Sequence, residues 1–242
     1  MKMIFFADTH LTKKSKRKMK FVETFVRDVC SDADMVFILG DLFEFYHGYQ
    51  GYIYPWYRSI VDTFKAITDK GKSVYFLEGN HEFEMGPFFE TYTGIKCVKN
   101  LTIDVEGNRT FISHGDEFFR NPAMRALKTP FTLGVMNLFG PELSWKIAMG
   151  VSKIMSTKKK GQNPRVKERF REYAEQKLNE GYDVVILAHS HISDYVEYGS
   201  GQAKKVYLNS GDFMKNSTYI EYTSESGFAV RKYSPQPQPL ML

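Results

Sequence analysis

Five apolar runs of strand length each stop at a cluster of histidine, aspartate or asparagine, and this coincidence constrains the fold more than any other feature of the chain. They read MIFFADTH (3–10), MVFILGDLFE (35–44), SVYFLEGNHE (73–82), TFISHGDE (110–117) and VVILAHSH (184–191). Nearly continuous Val, Ile, Leu and Phe suits strands covered on both faces of a sheet. Helical patterns over 16–31, 55–70 and 164–180 supply crossovers and covering layers, so an α/β class follows. In open α/β sheets ligands bind outside the carboxyl ends of the strands, where every one of these clusters falls. The topology therefore gathers them at one rim.

Of the 6 histidines, His10, His81, His114, His189 and His191 stand in the clusters and His47 lies just beyond one. A lone histidine at a strand end is more often a turn or core residue than a ligand. Five of them together with Asp8, Asp41 and Asn80 reverse that weighting. Imidazole with carboxylate suits Zn, Fe or Mn rather than Ca or Mg alone, and the lack of cysteine at these positions argues against a closed structural zinc site. Asp8 and His10 are two apart, as are His189 and His191, which in extended backbone points both members of each pair the same way. Gly40, Gly79 and Gly115 are expected to permit positive φ and close main-chain approach.

The remainder is organised around this scheme. At 242 residues and 43% hydrophobic content the chain is read as one domain, 1–242, with an insertion at 118–162. That insertion is too long for a plain connection, and Pro122, Pro130, Gly140 and Pro141 divide it into short helical pieces forming a cap. After residue 191, DYVEYGSG, KKVYLNSGD, STYIEYTSESG and FAVRKYS read as antiparallel strands, and SPQPQPLML as an irregular tail. Cys30 and Cys97 have neither metal-ligand nor disulfide spacing and are read as reduced thiols. The first apolar stretch reaches Asp8 too soon for a signal peptide, and no run of about 18 apolar residues occurs, so a cytoplasmic protein is expected. A net charge of +5, with basic clusters at 13–20 and 158–167, favours acidic partners without choosing among phosphates, nucleic acid and anionic lipid.

In order, DTH, GDLFE, GNHE, SHGD and AHSH resemble the motif set of the calcineurin-like metallophosphoesterases, over residues 8–191. The resemblance implies a four-layer α-β-β-α sandwich and two divalent ions, with manganese the expected metal and iron or zinc the alternatives. Asp41 would bridge the two metals. Asp8, His10 and His191 would complete one site, and Asn80, His114 and His189 the other. A bridging hydroxide would be the nucleophile, since paired cations lower the pKa of shared water and clamp phosphoryl oxygens. His81 would stabilise the transition state or protonate the departing oxygen. Glu82 and Asp116 are expected to orient histidines, and Glu44 is a weaker candidate.

Within that superfamily, the early GDLFE block and the helical insertion after HGD resemble the UDP-2,3-diacylglucosamine hydrolases of lipid A biosynthesis. This implies hydrolysis of a nucleotide-linked glycolipid to UMP and lipid X at the inner membrane face, with the cap holding acyl chains. Phe131, Leu138, Phe139, Trp145, Ile147 and Met155 are the candidate contacts. Two departures stand out: His81 occupies a position that is Arg in well-known members, and Ala188 precedes the His-Ser-His block where Gly is usual. A soluble phosphodiesterase or phosphatase acting on nucleotides or phosphoproteins is the competing reading. A non-catalytic module would require a lost ligand. Nucleic acid is disfavoured, because the sequence offers no identifiable stacking platform.

Overall fold

The computed structural model describes residues 1–118, 128–156, 164–200 and 204–235, the side chains of 153–156 and 164 excepted. Its strands are β1 (Lys2–Phe6), β2 (Met35–Ile38), β3 (Tyr46–His47), β4 (Ser73–Leu77), β5 (Glu82–Glu84), β6 (Lys96–Val98), β7 (Asn100–Val105), β8 (Asn108–Ser113), β9 (Val184–Leu187), β10 (Ser193–Tyr198), β11 (Lys205–Ser210), β12 (Thr218–Thr223) and β13 (Gly227–Lys232). Its helices are α1 (Lys16–Phe25), α2 (Arg58–Thr68), α3 (Gly86–Thr93), α4 (Pro130–Ser156), α5 (Pro164–Asn179) and α6 (Phe213–Asn216).

Two sheets face each other. One has the order β13-β12-β1-β2-β4-β6 and the other β10-β11-β9-β8-β7, while β3 and β5 make a separate small ladder. The alternation of side chains along each strand divides its apolar residues between two layers. Met3, Phe5, Phe37, Leu39 and Leu77 point from the first sheet onto Ile112, Val184, Ile186 and Leu208 of the second. Ile4, Phe6, Val36, Ile38 and Phe76 point the opposite way, onto α1, α2 and α3. On the outer face of the second sheet, Phe111, Val185, Leu187 and Tyr207 receive Phe170, Tyr173, Ala174 and Leu178, the buried stripe of α5. The expected layering of helix, sheet, sheet and helix is therefore present.

The helices end or bend for local reasons. Buried Ile60, Val61, Phe64 and Ile67 give α2 its helical spacing. Gly94, at φ 71°, closes α3 in the left-handed conformation that glycine takes without strain. The predicted helix over 16–31 is α1 followed by one π turn, Val26–Cys30. Helix α4 breaks at Gly140 (φ 74°, ψ 174°) ahead of Pro141, so the two residues that punctuate the insertion in sequence divide it in space. Residues 119–127 and 157–162 of the predicted cap lie outside the described residues.

Candidate metal centre

The strands stop short of the polar clusters. Asp8, Asp41, Asn80, His114 and His189 follow the carboxyl ends of β1, β2, β4, β8 and β9, so both sheets contribute to one rim. The reason given above for the paired spacing needs correction. Asp8 (φ 58°), His10 (φ 45°), Asp41 (φ 52°), His189 (φ 60°) and His191 (φ 56°) all have left-handed rather than extended backbone. Asp and His tolerate this region better than most residues. Main-chain bonds knit the first two loops in that shape: Asp8 N–H to Gly40 O (3.2 Å), His10 N–H to Asp41 O (2.9 Å) and Leu11 N–H to Leu42 O (2.9 Å).

The glycines act as expected with one exception. Gly40 and Gly115 have positive φ, but Gly79 does not. Its role is close approach, because a Cβ there would lie 2.3 Å from Asp41 Oδ1.

Three groups of side chains bring ligand atoms within 4.8 Å of one another: Asp8, His10 and His191; Asp41, His114 and His189; and His10, Glu44 and His81. The first gathers Asp8, His10 and His191, and the second sets Asp41 beside His114 and His189. His114 Nε2 lies 3.5 Å from Asp41 Oδ2, 3.3 Å from Asn80 Oδ1 and 3.0 Å from His189 Nδ1. His10 Nε2 is 3.8 Å and His81 Nε2 4.0 Å from Asp41 Oδ2, so Asp41 stands at the middle of the cluster. Its other oxygen accepts the His81 N–H at 3.0 Å.

The other ring nitrogens set the tautomers. His114 Nδ1 donates to Leu39 O (2.7 Å), His81 Nδ1 to Glu44 O (2.7 Å) and His191 Nδ1 to Asp212 Oδ2 (3.0 Å). Each leaves Nε2 as the nitrogen available to the cluster. Asp212 was not picked out from sequence. Its signal is Gly-Asp directly after β11, the same strand-then-Gly-Asp arrangement as Asp41 after β2.

Glu82 does a different job from the one expected. Its buried carboxylate accepts main-chain N–H groups of Asp41 (2.9 Å), Phe43 (3.2 Å) and Gly79 (3.0 Å), so it fixes the loops rather than a histidine. Asp116 sits half-buried, and burial raises its carboxyl while His114 and Lys128 pull it down.

The electrostatics call for a cation. Asp8 is 1% exposed, and neither of its carboxylate oxygens has a hydrogen-bond partner among the described residues. Burial pushes Asp8 up, with His191 and His114 opposing. Burial works the same way on Asp41, but His114 and His81 outweigh it and hold that carboxyl well below its usual range. Burial disfavours a charged His114, yet Asp41 carries it up to about 10. Burial and then the His114 charge push His189 well below the usual histidine value. The orphaned Asp8 carboxylate and the ionised Asp41, ringed by imidazoles, form a donor set that a divalent cation of the Mn, Fe or Zn type would satisfy, taking the place of the proton that His114 otherwise carries.

The candidate acyl contacts separate. Phe131, Leu138, Phe139 and Ile147 are exposed, at 81%, 82%, 48% and 48%. Trp145 instead turns inward, its ring 4.8 Å from that of Trp56 and packed against the core, because an indole gains most by covering aromatic surface. The Met155 side chain lies outside the described residues. No described helix is long and apolar enough to cross a membrane.

The calcineurin-like phosphoesterase family model matches residues 1–193. The UDP-2,3-diacylglucosamine hydrolase of Vibrio parahaemolyticus serotype O3:K6 is 26% identical over 238 residues, covering 96% of this chain and 98% of that protein. The enzyme of the same name from Vibrio vulnificus strain YJ016 is 37% identical over 117 residues, 48% of each chain. Among solved structures, a novel archaeal phosphodiesterase aligns with a TM-score of 0.49 at 12% identity, covering 96% of this chain and 99% of that one. The chain belongs to the calcineurin-like phosphoesterase family, and its clustered carboxylates and histidines make it a metal-dependent hydrolase of that family.

Proposed function

We propose that this hydrolase cleaves the pyrophosphate bond of a nucleotide-linked glycolipid, UDP-2,3-diacylglucosamine, releasing UMP and a lipid monophosphate. The observation that carries the reading is similarity along almost the whole chain to hydrolases of that name. The apolar face of α4 supports it. That helix presents exposed Phe131, Leu138 and Phe139 while being tied to the metal loops, for Asn137 Oδ1 lies 3.0 Å from His47 Nε2 and the Ser152 hydroxyl bonds the Glu44 carboxylate.

In this reading Asp8, His10, Asp41 and His191 would hold one divalent ion, and Asp41, Asn80, His114 and His189 would hold a second, with manganese as the preferred metal. Bound there, the ions would polarise the phosphoryl oxygens and activate water. Asp41 holds the two ligand groups together and keeps the His81 main chain in place. His81, its Nδ1–H engaged by Glu44 O, turns Nε2 toward the cluster, where it exchanges a proton with the departing oxygen. The exposed face of α4 would take the acyl chains, since apolar surface beside a polar site suits an amphiphile.

Manganese-loaded protein is expected to release UMP from UDP-2,3-diacylglucosamine and to cleave bis(p-nitrophenyl) phosphate. Asp41→Ala and His114→Ala should abolish both reactions while the chain stays folded. Undiminished turnover in both variants would remove the site assignment. Diester cleavage without UMP release would favour a soluble phosphodiesterase, the reading that His81 supports by standing where Arg is usual in the lipid hydrolases.

A further inference from the structure

Three of the five clustered histidines hydrogen-bond through Nδ1 to an acceptor within the sheets, their loops or the short α6 cap. His114 uses Leu39 O, His81 uses Glu44 O and His191 uses Asp212 Oδ2. The contact at His10 is different in kind. His10 Nδ1 lies 3.2 Å from Glu44 Oε2, a charge contact off the line of a hydrogen bond, and the other oxygen of that carboxylate takes the hydroxyl of Ser152, from the last turn of α4.

We propose that Glu44 is a positioning residue that fixes the tautomer of His10 and transmits the seating of α4 to the metal centre. The proposal rests on reading His10 as a ligand.

Several observations place Glu44 for this task. Its main-chain N–H donates to Leu11 O at 2.9 Å, and Leu11 and Phe43 form a parallel bridge, so Glu44 is held opposite His10 before its side chain acts. Both side chains are 18% exposed, which is closed enough for a charge to be felt across 3.2 Å and open enough for a bond from α4 to matter. His10 Nε2 points toward Asp41 Oδ2 at 3.8 Å. A proton on Nδ1, opposite the Glu44 carboxylate, leaves Nε2 with its lone pair toward Asp41; a proton on Nε2 would aim a donor at the place a cation would occupy.

The opposite end of α4 reaches the second loop. Lys128, two residues before the helix, donates to Gly79 O (2.7 Å) and Glu82 O (2.6 Å), the carbonyls that flank Asn80 and His81. The insertion thus grips the metal loops at both ends. Through Glu44, one grip continues to a ligand nitrogen.

The test uses the full chain and two readouts that need no lipid. Nitrogen-15 NMR of histidine-labelled, metal-free protein reads the His10 tautomer, and calorimetric titration with Mn²⁺ reads affinity. Glu44→Ala should shift His10 away from the Nδ1–H form and weaken the tighter Mn²⁺ step by about 10- to 100-fold, the usual range for losing the partner of a metal-ligating histidine. Glu44→Gln keeps an acceptor oxygen and should recover part of that loss. Ser152→Ala should leave the tautomer in place and lower kcat for bis(p-nitrophenyl) phosphate more than it changes KM. An unchanged tautomer with wild-type Mn²⁺ affinity in Glu44→Ala would overturn the proposal. So would weakened binding with an unchanged tautomer and an equally lowered melting temperature, which would make Glu44 a structural residue. Failure of the wild-type protein to release UMP would count against the lipid reading and leave this test untouched.

Discussion

Gly79→Ala is the smallest change that should dismantle the metal centre. A methyl group there would lie 2.3 Å from Asp41 Oδ1, 2.8 Å from Asp41 N and 3.0 Å from Asp41 Cγ. Carbon and oxygen atoms rest at about 3.3 Å, so the carboxylate must retreat by roughly 1 Å. The backbone nitrogen beside it cannot follow, because its N–H is held by the buried Glu82 carboxylate. Overpacking costs about 1–3 kcal/mol. Retreat of Oδ1 also breaks the bond from the His81 N–H, a hydrogen bond to a charged group that contributes about 1.5–3 kcal/mol. The expected loss is thus roughly 2.5–6 kcal/mol, or about 5–24 °C in melting temperature for a chain of this size. A misplacement of about 1 Å at a reacting centre also costs roughly 100-fold in rate. Gly107→Ala is the control. Gly107 has φ of +86° but nothing within 4 Å of a Cβ, so only the left-handed penalty of about 1–2 kcal/mol applies. Both variants would be followed by thermal unfolding without metal and by cleavage of bis(p-nitrophenyl) phosphate with manganese. If Gly79→Ala melts no lower than Gly107→Ala and keeps its turnover, the close packing of Gly79 on Asp41 is not what holds the Asp41 carboxylate.

Trp145→Ala removes an indole packed on Trp56 and should cost about 3 kcal/mol, read as a lower melting temperature; a change in lipid turnover alone would return Trp145 to the acyl-contact set. Leu138→Glu, at a position 82% exposed, should alter stability by no more than about 0.5 kcal/mol while lowering turnover of the diacylated substrate relative to that of a small diester. Asp194 pairs with Arg171 through bonds of 2.7 and 2.9 Å and with Lys167 at 3.1 Å, joining α5 to β10. Burial opposes ionisation of Asp194, yet Arg171 and then Lys167 hold its carboxyl below the usual value. A depressed carboxyl contributes stability that is fully present above its unfolded value of about 3.9 and is lost as pH falls through the lower folded value. Asp194→Asn should therefore flatten the acid limb of a urea-midpoint series from pH 7 to pH 3, and an unaltered limb would refute the pairing.

The layers of this fold were legible because burial on both faces leaves a period-free apolar run that few other elements produce. The runs beginning at Met3, Met35, Ser73, Thr110 and Val184 all became strands. What escaped was structure with little burial to mark it. β7 has exposed Asn100, Thr102 and Asp104 and reads as a polar connection until β8 turns back on it at Glu106 and Gly107. β3 and β5 are too short for any period to register. At the centre itself the ligand types were readable and their surroundings were not. Glu82 stands in the same block as Asn80, but that its carboxylate holds three main-chain N–H groups depends on two loops meeting, which no local pattern encodes. Ser152, in α4, and Lys128, just before it, reach the site from more than 40 residues away in sequence, about as invisible to spacing as a contact can be.

The paired residues carry a further lesson, because they meet in one cluster through a left-handed backbone where their spacing suggested an extended one. Seven non-glycine residues among those described have positive φ, and five of them are Asp8, His10, Asp41, His189 and His191; only Glu106 and Ser217 lie elsewhere. At about 1–2 kcal/mol each, five such residues cost roughly 5–10 kcal/mol, comparable with the whole net stability of an ordinary domain. Strain of that size persists only where surrounding structure over-determines it. Here the loops are tied to one another by main-chain bonds from Asp8, His10, Leu11 and Glu44, and they spring from strands clamped between two apolar layers. Burying one Phe, Leu or Ile contributes about 1.5–3 kcal/mol, so the facing residues Phe5, Phe37, Leu39, Ile112 and Ile186 are alone enough to offset the strain. The backbone map, with no reference to chemistry, therefore singles out five of the residues that stand in the histidine and aspartate clusters. Those five stand in strained geometry because the double sheet beneath them is stable enough to hold it.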